Sequence, residues 1–476
     1  MYLLSVLVLS AASLRLPAVF GDHIVLQRAK PVPVWGEAEA GAKVTVAFGG
    51  QKKSAVAGAD GRWMVKLGAL KASATPRTLV VTTGAGEKVE IGDVLVGEVW
   101  LGSGQSNMAM LVRNSRDYPA EQAAAKYPLI RVFKEESLAN RAPQWAGKGQ
   151  WAAVTPESVG ASSAVLYFFG REVFQQLGGQ VPVGLVNSSV GGTPIESWID
   201  GKVQAAVPEL KANTETLERT FERFDRKKAD KKAVDTWARR GGPGDLFNGK
   251  IAPLIPFALR GVLWYQGEGN ASPGRSDLYQ HQLALLVNDW RSRWGEELPF
   301  AWAQLPNFTR AGDDWSKVQE AELRTLRLPK TGMAVTIDIG DPGNIHPTNK
   351  QDVGKRLANW ALATVYKKAG VPASGPLPAK HSVRGGEVVV EFAHAHGGLK
   401  SRDGGALTGF TLAGSDGVYQ KASARVVGST VVVSSAGVTA PAGLRYAWES
   451  NPVCNLVNGA GLPASPFRLE QLASGR

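Results

Sequence analysis

GEVWLGSGQSNMAML, residues Gly97 to Leu111, ends an apolar run that begins at Val94 and stops at Leu101. A continuous run of this length, rich in Val and Leu and closed by glycine, reads as a buried strand. It breaks into Gly-Ser-Gly-Gln-Ser-Asn-Met, so the strand delivers one serine, Ser106, onto a glycine-flanked turn. Open α/β sheets bind ligands at the carboxyl ends of their strands. The question is therefore whether the surrounding chain supplies such a sheet.

Downstream, apolar strands alternate with helical stretches. A short helix is predicted near residues 119–126, with Pro119 suited to a first helical position. SSAVLYFFGREVFQQLGG reads as helix, VPVGLVNSS and LRGVLWYQGEG as strands, and SDLYQHQLALLVNDWRSRWG as helix with Leu278, His281, Leu285 and Trp290 near helical spacing. PFAWAQLPN and GMAVTIDIG follow as strands, and KQDVGKRLANWALATVYKKAG as helix. This alternation implies a mostly parallel sheet covered on both faces. The catalytic α/β domain is expected over 96–368, with a charge-rich, solvated helical insertion over about 203–240.

Upstream, residues 15–95 alternate apolar and polar in short runs such as KVTVAFGG and RTLVVTT, punctuated by Gly, Pro and Asp-Gly. That pattern predicts a small β-sandwich. After the linker AGVPASGPLPAK, short strands return, and a second β-domain is expected over 369–476. MYLLSVLVLSAAS at the start is an apolar run closed by small residues, too short to span a bilayer, with no Lys or Arg before Arg15. Residues 1–14 read as a signal peptide, which implies export to the periplasm or the exterior. No other segment approaches 18 consecutive apolar residues, so no membrane span is expected in the mature protein.

Composition agrees with a soluble globular chain. It has 476 residues, 44% hydrophobic and 20% charged, too many for one core. The net charge of +12 reads first as a merely basic surface, with attraction to anionic substrates or envelope polymers as the alternative, and it marks no nucleic-acid partner, because no Arg-rich block is interleaved with aromatics. The single cysteine, Cys454, excludes an intrachain disulfide. Six histidines and one cysteine show no zinc-like spacing, so no metal site is expected.

Four strand ends carry polar groups and should converge at one sheet edge: Ser106, the Asn187–Gly192 turn, Gln266–Asn270, and Asp341 with His346. A serine hydroxyl needs a base, and histidine is the usual one near neutral pH. His23, His381, His394 and His396 lie in the β-domains, His394 and His396 on one face of a strand, and His281 occupies a packing position in a helix. Elimination leaves His346. The N–H groups of Ser106 and of Gly191 or Gly192, with an amide from Gln266 or Asn270, could hold an oxyanion. Gln105 is a candidate for substrate contact. Glu268 reads as bracing its turn, with substrate contact as the alternative.

GSGQSNM, NSSVGGTPIESWI, WYQGEGNA and DPGNIHP together resemble the blocks of the SGNH hydrolases, and more closely the sialate O-acetylesterase group of carbohydrate esterases. VFGDHIVLQRAKPVPVWG, LFNGKIAPLIPFALRGVLWYQGE and LRYAWESNPVCNLVNGAGLPASPFR extend the likeness over nearly the whole chain. The resemblance implies a flavodoxin-like, three-layer α/β/α SGNH domain flanked by β-sandwiches. It also implies a cofactor-free Ser–His esterase that removes acetyl groups from sugar hydroxyls, with Ser106 as nucleophile and His346 as base. Two positions depart from the group: Gly269 stands where Ser is commoner, and Gly343 where SGNH enzymes generally place an Asp three residues before the histidine. The orienting group is thus expected to be Asp341, five residues before the histidine, with Asp338 second and a backbone carbonyl as the remaining alternative. The same machinery would serve acetylated xylan or another polysaccharide, and a non-enzymatic glycan-binding protein is the alternative of a different class.

Overall fold

The computed structural model describes residues 13–224 and 228–472; the expected leader lies outside them except for Ser13 and Leu14. Leu14 is buried, and its N–H donates to Glu87 Oε1 (3.1 Å).

The quoted stretch is the end of β1, Lys88–Gly104, a 17-residue strand whose last eleven residues are all buried. Its first half pairs antiparallel with Ser73–Thr83, and Val25–Gln27 runs parallel beside Leu95–Gly97. Its second half is the centre of the catalytic sheet. Residue 95, where the sequence pattern changes, therefore falls inside one continuous strand.

The catalytic strands are β1, β2 (Tyr127–Glu135), β3 (Gly149–Val154), β4 (Val183–Ser189), β5 (Gly261–Tyr265), β6 (Phe300–Ala303) and β7 (Thr331–Ala334). Their order across the sheet is β7-β6-β5-β1-β4-β2-β3, parallel except for the β2–β3 hairpin at one edge. Setting that hairpin aside, β4-β1-β5-β6-β7 is the 2-1-3-4-5 order of flavodoxin-like folds, whose ligand crevice opens where the order reverses. That point is the carboxyl end of β1, flanked by the ends of β4 and β5.

Two helical layers cover the sheet because β1 alternates its side chains. Trp100 faces α2 (Ala164–Gln176) and α7 (Lys350–Trp360), its ring 5.0 Å from Phe169 and 6.2 Å from Trp360. Val99 and Leu101 face the opposite core, where α5 (Tyr279–Trp294) contributes Leu283, Leu286 and Trp290, and α6 (Asp313–Thr325) contributes Trp315 and Val318. Each such side chain contributes on the order of 1.5–3 kcal/mol by leaving water. The buried stripe of α5 runs through Tyr279, Gln282, Leu283, Leu286, Val287 and Trp290, so His281 is rotated off it and is only half-buried.

One apolar core runs without a break from Val44 and Trp63 of the N-terminal β-region, through Val94, to Val262 and Trp290 under the catalytic sheet. The C-terminal region has its own core around Val388, Val431, Phe410 and Phe467, between two four-stranded antiparallel sheets. His394 and His396 follow the strand Glu387–Ala393 rather than sitting on it; both have positive φ, and their rings stack with centroids 6.0 Å apart. The 203–240 insertion is mainly two helices, α3 (Pro208–Glu222) and α4 (Lys231–Arg240). Trp237 of α4 packs on Phe221 (5.2 Å) and Phe224 (4.7 Å), joining the pair. No helix among the described residues is long and apolar enough to cross a membrane.

Candidate active site

Ser106 opens a one-turn helix, α1 (Ser106–Ala109), directly after β1. The turn is possible because Gly104 has φ +133° and lies against β5: a Cβ there would sit 2.1 Å from the Tyr265 carbonyl oxygen. The far side of the turn is clamped by the start of α2, where Ser163 Oγ donates to the Met108 carbonyl (2.7 Å) and Ala164 N–H to that of Met110 (2.8 Å).

His346 arrives from the loop after β7. Its Nε2 lies 2.7 Å from Ser106 Oγ, within the range for proton transfer from a nucleophile to its base. The two groups are 240 positions apart in sequence. Burial first, and the positive charge of Lys350 second, lower the His346 pKa below its usual 6.5, which favours the neutral imidazole a base requires.

The backbone around Ser106 is poised for an anion. Among the described residues, the N–H groups of Ser106, Gly191 and Gly192 have no hydrogen-bond acceptor. A Cβ on Gly191 would lie 3.5 Å from Ser106 Cβ, so this turn borders the nucleophile. Gln266 and Asn270 are placed differently. Both are fully buried, and their amides are spent: Gln266 Nε2 donates to the Thr193 carbonyl (3.2 Å) and to Asn270 Oδ1 (2.8 Å), while Asn270 Nδ2 donates to Glu196 Oε2 (2.9 Å). They stitch the end of β5 to the Gly191–Glu196 turn. Gln105 Oε1 accepts the Gly269 N–H (3.0 Å), its Nε2 has no hydrogen-bond partner among the described residues, and the residue lines the cleft. A side chain at Gly269 would press within 2.9 Å of the Thr193 carbonyl oxygen.

Neither candidate carboxylate reaches His346. Asp341 is exposed and accepts the Gly343 N–H of its own loop (2.9 Å). Asp338 is held by Arg356 (2.5 and 2.8 Å) and Arg402 (3.2 Å). Among the described residues His346 Nδ1 has no hydrogen-bond partner; its backbone N–H is fixed by Asn344 Oδ1 (2.9 Å).

A buried network lies under the Ser–His pair, and sequence reading did not find it. Asn107 Nδ2 donates to Glu268 and to the Ile345 carbonyl (3.0 Å), and Asn107 Oδ1 accepts from Lys350 Nζ (2.6 Å). One side chain thus ties the nucleophile turn, the β5 turn and the histidine loop together. Burial pulls Lys350 down to about 7, partly offset by Glu268, and raises the Glu268 carboxyl, partly offset by the Asn107 hydrogen bond. Asn107 was visible in the quoted block, but nothing in the sequence distinguishes Lys350 from the exposed Lys355 of the same helix.

Ser106 and His346 open onto a cleft of about 750 Å³. Its opposite wall comes from the insertion: Leu217, Trp237, Arg239 and Arg240, followed by Gly241–Pro243. A segment read as a solvated excursion therefore roofs the site. Among the described residues no group of three His, Cys, Asp or Glu side chains is placed to hold a metal ion.

Residues 96–363 match the family described as carbohydrate esterase, sialic acid-specific acetylesterase. The chain is 32% identical over 419 residues to sialate O-acetylesterase of Rattus norvegicus, covering 77% of this chain and 76% of that protein. It is 30% identical over 508 residues to sialate O-acetylesterase of Homo sapiens, covering 95% and 92%. A solved carbohydrate acetylesterase from Xanthomonas citri superposes with a TM-score of 0.85 at 38% identity, covering 96% of this chain and all of that one. The geometry of an esterase and these likenesses agree: the chain belongs to the sialic acid-specific acetylesterase family of carbohydrate esterases.

Proposed function

We propose that this esterase removes O-acetyl groups from sialic acid by two-step acyl transfer through Ser106. His346 Nε2 accepts the Ser106 hydroxyl proton as Oγ attacks the acetyl carbonyl carbon, and the N–H groups of Ser106 and Gly191 receive the developing oxyanion. The C–O bond to the sugar breaks, and His346 returns the proton to the departing sugar hydroxyl. Water, deprotonated by His346, then cleaves the acetyl-enzyme and releases acetate. The observation that carries this reading is the 2.7 Å Ser106–His346 contact at the sheet's switch point. Among the described residues no carboxylate bonds to His346 Nδ1, which supports reading His346 as the base of a dyad positioned through its loop.

Acetylated plant polysaccharide is the second reading, favoured by the breadth of the cleft, which could admit a chain segment. Acetate release from O-acetylated N-acetylneuraminate, measured beside release from acetyl-xylan, decides between them. Preference for xylan would overturn the sialate assignment while leaving the esterase intact. The apolar segment before Arg15 supports export, tested by fractionating an expressing Gram-negative host.

A further inference from the structure

The cleft holds a cation that no described residue neutralises. Arg240 ends α4, with Gly241 closing the helix, and faces the same cleft as Ser106. Its Nε is buried without a partner, and among the described residues its guanidinium makes no ion pair or hydrogen bond. The nearby carboxylates are already engaged. Glu196 receives Arg275 Nη2 (3.2 and 3.1 Å) as well as Asn270, and Glu268 is bonded to Asn107 above Lys350. Arg239 beside it is exposed and adds positive charge, and together with burial and Arg275 it lowers the Arg240 pKa.

Charged groups withdrawn from water are normally paired, because desolvation costs more than a lone charge recovers. A planar guanidinium with open donors matches a carboxylate through two parallel hydrogen bonds. The position is also suitable. A Cβ on Gly192 would lie 2.7 Å from Arg240 Nη2, and Gly191 borders Ser106. Trp237, one turn earlier on α4, presents an apolar edge to the same space.

We propose that Arg240 selects acetylated sugars that carry a carboxylate, pairing with that carboxylate while Ser106 takes the acetyl ester. This rests on the sugar acetylesterase reading above and assigns its anion specificity to a residue of the helical insertion.

The test compares wild type, Arg240→Ala and Arg240→Lys on O-acetylated N-acetylneuraminate and on its methyl ester. The readout is the ratio of the two kcat/KM values, so loss of folded enzyme cancels. Wild type should favour the acid, and Arg240→Ala should lower the ratio about ten- to a hundredfold, the range for a hydrogen bond to a charged group. The loss should fall mainly on KM, and Arg240→Lys should recover part of it. In parallel, free N-acetylneuraminate is measured as an inhibitor of p-nitrophenyl acetate hydrolysis, and its inhibition constant should rise by a similar factor in Arg240→Ala.

An unchanged ratio, or equal losses on acid and methyl ester, would overturn the proposal, since the guanidinium would then serve the reaction or the fold. Failure of the free acid to inhibit wild type would do the same. If the acid inhibits in an Arg240-dependent way but its O-acetyl ester is not hydrolysed, the sialate reading fails and the carboxylate site stands.

Discussion

An unassisted serine hydroxyl is a poor nucleophile at neutral pH, and the proposed role of Ser106 rests on His346 Nε2, 2.7 Å from its Oγ. Among the described residues Ser106 Oγ bonds to His346 alone, so Ser106→Ala should keep the wild-type melting temperature. Its turnover should fall by roughly a millionfold, as for loss of a nucleophile in a unit that acts together. A variant keeping a tenth of wild-type turnover would refute the assignment. Asp341→Asn tests the dyad. The Asp341 side chain bonds only within its own loop, so turnover should stay within about threefold of wild type. A loss approaching ten-thousandfold, the scale for an orienting carboxylate, would mean that Asp341 swings to His346 during the reaction.

The pH dependence belongs to the same residues. Only neutral His346 can accept the serine proton, and burial and Lys350 both lower its pKa. The value of kcat/KM, which reports the free enzyme, should therefore fall with decreasing pH only below 6.5. Lys350, titrating at about 7, is mostly protonated throughout that window, so its charge acts where the histidine titrates. Lys350→Met should move the acid limb up toward 6.5. A limb that does not move in the folded variant would show that the Lys350 charge is not felt at His346.

At the scale of elements, the site depends on how closely β1 and β5 approach. Gly104 is both in positive φ and within contact of the Tyr265 carbonyl, so Gly104→Ala must strain the turn or part the strands. The expected cost is about 3–5 kcal/mol, with loss of activity alongside it. Thermal melting of the purified variant checks this, and wild-type stability with wild-type turnover would contradict it. The insertion shows a different dependence. Its mixed charges and modest apolar content read as a solvated helix pair, which α3 and α4 are along most of their length. What was not legible is their docking over the catalytic cleft, because a few contacts at Trp237 and Arg240 leave no periodic signal.

Across the whole molecule, the N-terminal β-region and the catalytic sheet share β1 and one core, so they cannot be separated without cutting a strand. The C-terminal region keeps its own core and is attached by polar contacts, among them Arg468 with Glu320 of α6 and Asp338, which joins Arg356 of α7 to Arg402. Asp338 is nearly buried at 8% exposure, while Arg402 is 41% exposed and its share is correspondingly screened. Asp338→Asn should cost about 1–3 kcal/mol, seen as a lower melting temperature and faster proteolysis near Arg402. The kcat of the folded fraction should stay near wild type. A severe kcat loss at unchanged stability would reassign Asp338 to the histidine.

The sequence by itself determined the strand–helix alternation, the placing of Ser106 at the end of β1, and His346 as the one histidine in a loop after a catalytic strand. These depend on local signals: apolar runs, glycine turns and the scarcity of histidine. Only the tertiary structure decided what orients and surrounds that pair. Spacing put Asp341 ahead of Asp338, yet neither bonds to His346, because a carboxylate's role depends on which loop N–H or arginine reaches it first. Gln266 and Asn270 could not be told from oxyanion donors, because amides are consumed by partners such as Thr193 and Glu196, about 70 residues away. Lys350 and Arg240 looked like surface charges. Packing buries the first, which lowers its pKa, and sets the second in the cleft without a partner among the described residues, and no single stretch of chain encodes either.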